Sequence, residues 1–291
     1  MSKMTVQRCS CAHRKKGIQL MNTSTQWHLL EEEAKRYEKI RVAAILGPVA
    51  EALVASAEIR PGNIVIDVGC GTGAAARCAA TYARESGRVI GVDINPAMLA
   101  VADAARDVAG APIEWQPQNA EALSFNDETF DVALCSHSLP FMTDPERVLA
   151  EAYRVLKPGG RIAVSAWCSV RDNPYFDALI AALSAHIGAA AEAELHKAFL
   201  FSERHVIGEM LTAAGFRIEE DDTHRINLNL PPMEEFVPRY MSATTASEGF
   251  AGATVEAQLA AAGMVAERLA EYQRDTGLKL PFCFHIVLGV K

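Results

Sequence analysis

No apolar run in this chain approaches the eighteen or so residues that a helix needs to cross a bilayer, although half of its 291 residues are hydrophobic. The expectation is a chain that buries its apolar residues in its own core, without stable membrane insertion. Positive charge is also short: 28 Lys and Arg stand against 36 Asp and Glu, a formal net charge of −8. Nucleic acid is therefore not an expected partner, since its phosphates call for a basic face. Aromatic residues make up only 7 %, which leaves aliphatic packing of helices on a sheet. The seven cysteines (9, 11, 70, 78, 135, 168 and 283) are odd in number and show no disulfide framework, so a reducing cytoplasm is expected. Cys9-Ser10-Cys11-Ala12-His13 offers three ligands with no second cluster, too few to close a tetrahedral zinc site, and no metal is expected.

The first twenty residues lack any acid and carry Lys3, Arg8, Arg14, Lys15 and Lys16; removing those five charges from −8 leaves −13 on the remainder. Such a segment is basic like a transit peptide but short and poorly amphipathic. The favoured reading is a disordered tail over residues 1–24, or an upstream start with Met21 beginning the folded protein. From Thr25 to Ala57 the pattern is helical, with Trp27, Leu30, Ala34, Tyr37, Ile40 and Arg41 on one face. Glu31-Glu32-Glu33 near its start suits the helix dipole, and Gly47-Pro48 is expected to break it. This gives N-terminal helices over residues 25–60. The length of the chain fits one large α/β domain with an appendage or two small domains, as monomer or homodimer.

The densest chemistry lies in Val65-Ile66-Asp67-Val68-Gly69-Cys70-Gly71-Thr72-Gly73, followed by Val89-Ile90-Gly91-Val92-Asp93. An apolar strand enters a glycine-rich turn, an alanine-rich helix follows, and a second apolar run ends in a carboxylate that can accept both hydroxyls of a ribose. Two cofactors compete for this unit. Ala75 can stand in for the third small residue of a dinucleotide fingerprint, which keeps an NAD(P)-dependent oxidoreductase open. Asp67 argues the other way: a carboxylate two residues before the turn repels a pyrophosphate and suits an ammonium and a sulfonium.

At this point the chain resembles the class I S-adenosylmethionine-dependent methyltransferases. The resemblance continues through Gln118-Asn119-Ala120-Glu121-Ala122-Leu123-Ser124-Phe125, Phe130-Asp131-Val132-Ala133-Leu134-Cys135-Ser136 and Arg154-Val155-Leu156-Lys157-Pro158-Gly159-Gly160-Arg161-Ile162. The likeness is nearest to the group around the ubiquinone and menaquinone biosynthesis methyltransferases. It covers residues 37–167 well and the last third loosely. It implies a Rossmann-like, doubly wound, mostly parallel seven-stranded sheet with an antiparallel last strand and an inserted helical lid. It implies a cofactor set of Tyr37, Asp67, Gly69, Gly71, Gly73, Asp93, Ile94, Met98, Asn119, Ala120 and Ser136, with S-adenosylhomocysteine as product. Asn119 stands where the family puts a polar side chain at the adenine amino group, and Ala120 would offer its N–H to the ring. Tyr37 either covers the methionine end or simply packs its helix onto the sheet.

Alternation predicts strands near 64–68, 89–93, 113–115, 131–135 and 161–166, with helices near 74–85, 96–108 and 145–156 and Asp144 as the N-cap of the last. The cofactor-binding core is thus 61–168. Residues 169–291 are read as lid insertions plus the last strands. Asn173-Pro174 opens a helix to His186, a polar patch follows, and Glu203–Ala214 is helical. Phe216-Arg217-Ile218 is a strand, 232–276 is helical with breaks near Gly249–Gly252 and at Gly263, and 282–290 is the last strand. Methyl transfer needs alignment and a dry site, with a base only where the acceptor must lose a proton. His137 is the best-placed base or acceptor-orienting group. His186, His196, His205, His224 and His285 are read as structural. The expected activity is methyl transfer to a small, partly apolar acceptor, at oxygen, nitrogen or carbon. Alternatives are the oxidoreductase and a non-catalytic cofactor-binding regulator.

Overall fold

A computed structural model describes residues 31–105, 108–241, 243 and 246–291. The basic tail, Cys9, Cys11, His13, Trp27 and Leu30 lie outside them. Helix α1 (Glu31–Arg36) continues into a π-helical segment, Tyr37–Leu46, and then into α2 (Gly47–Ser56). The expected break at Gly47-Pro48 does not occur. Gly47 N–H still donates to Val42 O, five residues back, and Pro48 falls in the first turn of α2, where its fixed φ suits a helix.

The core alternates as expected: β1 (Ile64–Val68), α3 (Ala74–Ala83), β2 (Arg88–Asp93), α4 (Pro96–Ala104), β3 (Ile113–Pro117), β4 (Phe130–Ser136), α5 (Pro145–Val155) and β5 (Leu156–Trp167). Asp144 caps α5, accepting from Arg147 N–H at 2.9 Å. Strand β5 starts five residues before the expected 161. The C-terminal residue explains this: Gly159 N–H donates to Lys291 O, and Lys291 N–H to Gly160 O, each at 3.0 Å.

Beyond β5 come α6 (Pro174–His186), α7 (Ala189–His196), α8 (Arg204–Ala213), β6 (Arg217–Leu230), α9 (Met233–Met241), α10 (Ser247–Gly252), α11 (Val255–Arg268), the two-residue β7 (Gln273–Arg274) and β8 (Gly277–Val290). Three expectations change here. The polar patch after His186 is helix α7. Gly263 does not interrupt α11, because it faces solvent with nothing near it. Strand β6 has 14 residues where three were expected. It is an edge strand whose first half is acidic, through Glu219, Glu220, Asp221 and Asp222, while Ile226-Asn227-Leu228-Asn229-Leu230 alternates apolar and polar; its pairing with β8 from Arg217↔Val290 to Leu230↔Leu278 defines its full length.

The sheet runs β3-β2-β1-β4-β5-β8-β6, with β7 paired to β8 off that path. Strands β1 to β5 are parallel, and β8 is antiparallel to both β5 and β6. The order reverses on either side of β1, so a crevice opens between the C-terminal ends of β1 and β4. The sparse aromatics are gathered beside it. Trp167, Phe176, Phe282 and Phe284 pack edge to face or tilted, and Tyr175, Phe236 and Tyr240 continue the cluster from the lid. Buried Asn173 pins the lid to the sheet, donating to Cys283 O at 3.1 Å and accepting from Cys283 N–H at 2.9 Å.

Candidate functional site

A cavity of about 780 Å³ occupies that crevice. Of the residues expected from sequence, Tyr37, Gly69, Gly71, Asp93, Ile94, Met98, Asn119, Ala120, Ser136 and His137 line it, while Asp67 and Gly73 do not. Its volume lies within the usual 300–1,000 Å³ of small-molecule sites.

The glycine turn is organised by Asp93. Its Oδ2 accepts from Gly71 N–H at 2.8 Å and its Oδ1 from Asn95 N–H at 2.8 Å. These bonds orient the carboxylate toward the cavity and leave lone pairs for further donors. Burial raises its pKa, and the backbone N–H groups oppose that shift. Gly71 has φ +54° and open space where a Cβ would stand, so a ligand can reach its backbone. Gly73 serves another purpose: a Cβ there would lie 2.3 Å from the Trp115 ring, which packs against the start of α3.

Asp67 corrects the sequence reading. It sits inside β1 with no exposure, and its Oδ2 accepts from Ala76 N–H of α3 at 2.9 Å. Its Oδ1 has no partner. Burial pushes its carboxyl up to about 7 against the Ala76 bond, and the nearby Asp93 adds to the rise. The rim therefore gathers Asp93, Asn119 and Ser136, with Asp67 one layer behind. Asn119 Oδ1 already accepts from Glu121 N–H at 2.9 Å, which fixes the amide at the rim.

His137 follows β4 with φ +53°, a left-handed conformation uncommon for a residue with a side chain. Its N–H donates to Ser165 O at 3.1 Å, and its Nδ1 lies 2.8 Å from Ser165 Oγ. The ring packs 4.3 Å from the centre of Trp167, and its buried Nε2 has no partner. Burial lowers its pKa to about 3, helped by the Arg41 charge, so the ring is neutral. The remaining described histidines do not line the cavity; His285, for example, is held by Ser202 O and Thr223 Oγ1.

The N-terminal helix is tied to the turn by a small network. Thr72 Oγ1 donates to Glu38 at 2.5 Å, and Arg77 bridges Glu38 at 2.6 Å and Thr72 O at 2.5 Å. One turn on, Arg41 lines the cavity at 4 % exposure, a role the sequence reading did not assign. The available signal was a guanidinium on the same helical face as Tyr37 and Ile40. Lid residues Lys197, Ala198 and Leu200 complete the wall, and no spacing in the sequence pointed to them.

Residues 66–164 match the family described as a methyltransferase domain. The chain is 39 % identical over 114 residues to the ubiquinone/menaquinone biosynthesis C-methyltransferase of Hydrogenovibrio crunogenus, covering 38 % of this chain and 45 % of that one. It is 43 % identical over 112 residues to the demethylmenaquinone methyltransferase of Symbiobacterium thermophilum, covering 37 % and 44 %. The chain thus spans less than half the length of these curated relatives. A SAM dependent methyltransferase from Aquifex aeolicus shares the fold with a TM-score of 0.52 at 14 % identity, over 90 % of this chain and 100 % of that one. Residues 66–164 thus carry the likeness to a methyltransferase domain, and the fold is that of the Aquifex aeolicus enzyme.

Proposed function

We propose that the protein transfers a methyl group from S-adenosylmethionine to a small, partly apolar acceptor held between the lid and the strand ends. The observation that carries this reading is the Asp93–Gly71 pair. A ribose-sized diol has a buried carboxylate to accept from it, and the open face of Gly71 lets the ligand lie against the backbone. Exposed Ile94 and buried Met98 offer apolar faces for a purine, and Asn119 stands at its edge. Tyr37 roofs the same end from the N-terminal helix, which the Glu38 network fixes over the turn.

When bound, S-adenosylmethionine supplies an electrophilic methyl group on a sulfonium. The chain's own contribution is alignment and dryness: Trp167, Phe141 and Ala198 exclude water at the far end of the cavity. His137 suits acceptor orientation better than proton abstraction, because a ring whose conjugate acid titrates near 3 is a weak base. A pyrophosphate cofactor is disfavoured, since a buried carboxylate already takes the Ala76 N–H at the start of α3. The family match ends at residue 164, before the lid, so the acceptors of the quinone methyltransferases do not carry over.

Titration calorimetry tests the proposal. Saturable binding of S-adenosylmethionine is expected, weakened about tenfold to a hundredfold in Asp93→Ala, the worth of charged hydrogen bonds. No binding by the unmodified protein, or equal affinity in the variant, refutes it.

A further inference from the structure

An unusual set of polar atoms lies at and behind the cavity wall. Arg41 is 4 % exposed, and its Nε and Nη1 have no hydrogen-bond partner. Its guanidinium lies 5.2 Å from the Tyr37 ring centre and 6.0 Å from that of Tyr240. His137 Nε2 beside it and the Tyr175 hydroxyl behind it are likewise buried without partners, and the Tyr240 hydroxyl, also behind the wall, interacts with Arg41 itself. The acids that line the cavity are engaged elsewhere: Asp93 with Gly71, Glu121 with the Thr143 and Asp144 N–H groups, Glu194 with Lys197. A buried cation without a carboxylate, ringed by unused donors, is a receptor for an anion.

We infer that the methyl acceptor enters as an anion, an ionised carboxylic acid, phenol or enol, whose oxygen is held by Arg41, with the Tyr240 hydroxyl supporting the guanidinium from behind. This rests on the methyltransferase reading and names its substrate class. It also removes the need for a base. A lone pair of the anionic oxygen forms the bond to the methyl carbon as the carbon–sulfur bond breaks and its electron pair stays on sulfur. Anion and sulfonium become a neutral ester or ether and a neutral thioether, with no proton to remove. A neutral His137 beside the site fits that chemistry.

The test uses 2-naphthoate and its neutral isostere 2-naphthamide, titrated into full-length protein saturated with S-adenosylhomocysteine. The naphthoate is expected to bind about tenfold tighter or more, as a charged hydrogen bond requires. Arg41→Met is expected to abolish that preference, Arg41→Lys to keep part of it, and S-adenosylhomocysteine affinity to stay within about twofold. Equal binding of both probes, binding of neither, or a preference that survives Arg41→Met overturns the inference. So does loss of S-adenosylhomocysteine affinity in Arg41→Met, which assigns the guanidinium to the cofactor's own carboxylate. If the unmodified protein binds neither S-adenosylmethionine nor S-adenosylhomocysteine, the methyltransferase reading fails, and the same probe pair on cofactor-free protein still decides the anion site. Should Arg41→Met not fold, Tyr240→Phe keeps the cation, and an unchanged naphthoate preference there counts against the receptor.

Discussion

Asp67 gives the sharpest quantitative test of the site's electrostatics. Its carboxyl rises from an ordinary 3.8 to about 7, chiefly because β1 and α3 bury it. Between those two pH values the native chain keeps a proton that the unfolded chain releases. Stability therefore falls as pH rises from about 4 to about 7 and is level in this term above that. Three units at about 1.36 kcal/mol each set a ceiling of ~4 kcal/mol, and relaxation of the site brings the expected range to about 2–4 kcal/mol. Asn cannot ionise, yet its carbonyl can still accept from Ala76 N–H. Urea denaturation of Asp67→Asn and the unmodified protein, from pH 4.5 to 8.5, should show the variant gaining about 2–4 kcal/mol relative to the parent. Carboxylates distant from Asp67 are common to both proteins and cancel in the difference, and the coupling to Asp93 is part of what the difference reads. Two curves that stay parallel across this range would refute a buried, proton-holding Asp67.

Three further outcomes follow from the geometry. His137 is neutral, so histidine NMR should show its ring untitrated between pH 5 and 9, and His137→Asn should lower methyl transfer about tenfold with an unmoved pH profile. An activity limb near pH 6–7 that vanishes in the variant would restore the base role. Gly73→Ala should cost about 2–4 kcal/mol in thermal unfolding because of its φ +84° and the Trp115 ring, whereas Gly71→Ala should cost about 1 kcal/mol and chiefly weaken S-adenosylmethionine binding; equal stability losses would contradict this division. Glu38→Gln removes the half-buried ion pair with Arg77 while keeping a Thr72 partner, so limited proteolysis should cut the N-terminal helix faster at a global cost of about 1–2 kcal/mol; unchanged cleavage would show that the network does not hold the helix.

The donor half of the cavity was legible in the sequence because its parts are local. A strand, a turn of fixed spacing and a second strand end put Gly71 and Asp93 together through backbone geometry that twenty-odd residues determine. Asn119 and Ser136 were reachable by the same rule, each just past a strand of an alternating sheet. Asp67 shows where the rule stops. Spacing placed it in β1, but whether its carboxylate faces ligand or helix depends on how α3 packs, and Ala76 N–H takes it. The acidic first half of β6 was hidden for a related reason, since it shows no apolar alternation and is defined by its partner β8, whereas Ile226-Asn227-Leu228-Asn229-Leu230 alternated as a strand does and went unread. Arg41 was visible on its helical face, yet its burial comes from Tyr240, about two hundred residues later.

The two halves of the cavity are thus stabilised by different physics, and they can vary separately. Around the glycine turn, backbone N–H groups are held by one carboxylate, Asp93, and tolerate little change because each bond has a defined partner. On the other side Trp167 is backed by an aromatic cluster drawn from α6, α9 and β8, pinned at Asn173 and Cys283, whose packing tolerates substitution if volume is kept. What that packing does not tolerate is an unpaired buried charge with no use. Hydrophobic residues of Arg41's volume would satisfy the cluster at lower cost, and the ring contacts with Tyr37 and Tyr240 offset only part of its desolvation. A cation retained at that point is accounted for by an anion that arrives with the substrate. The same anion explains why the histidine beside it can be neutral.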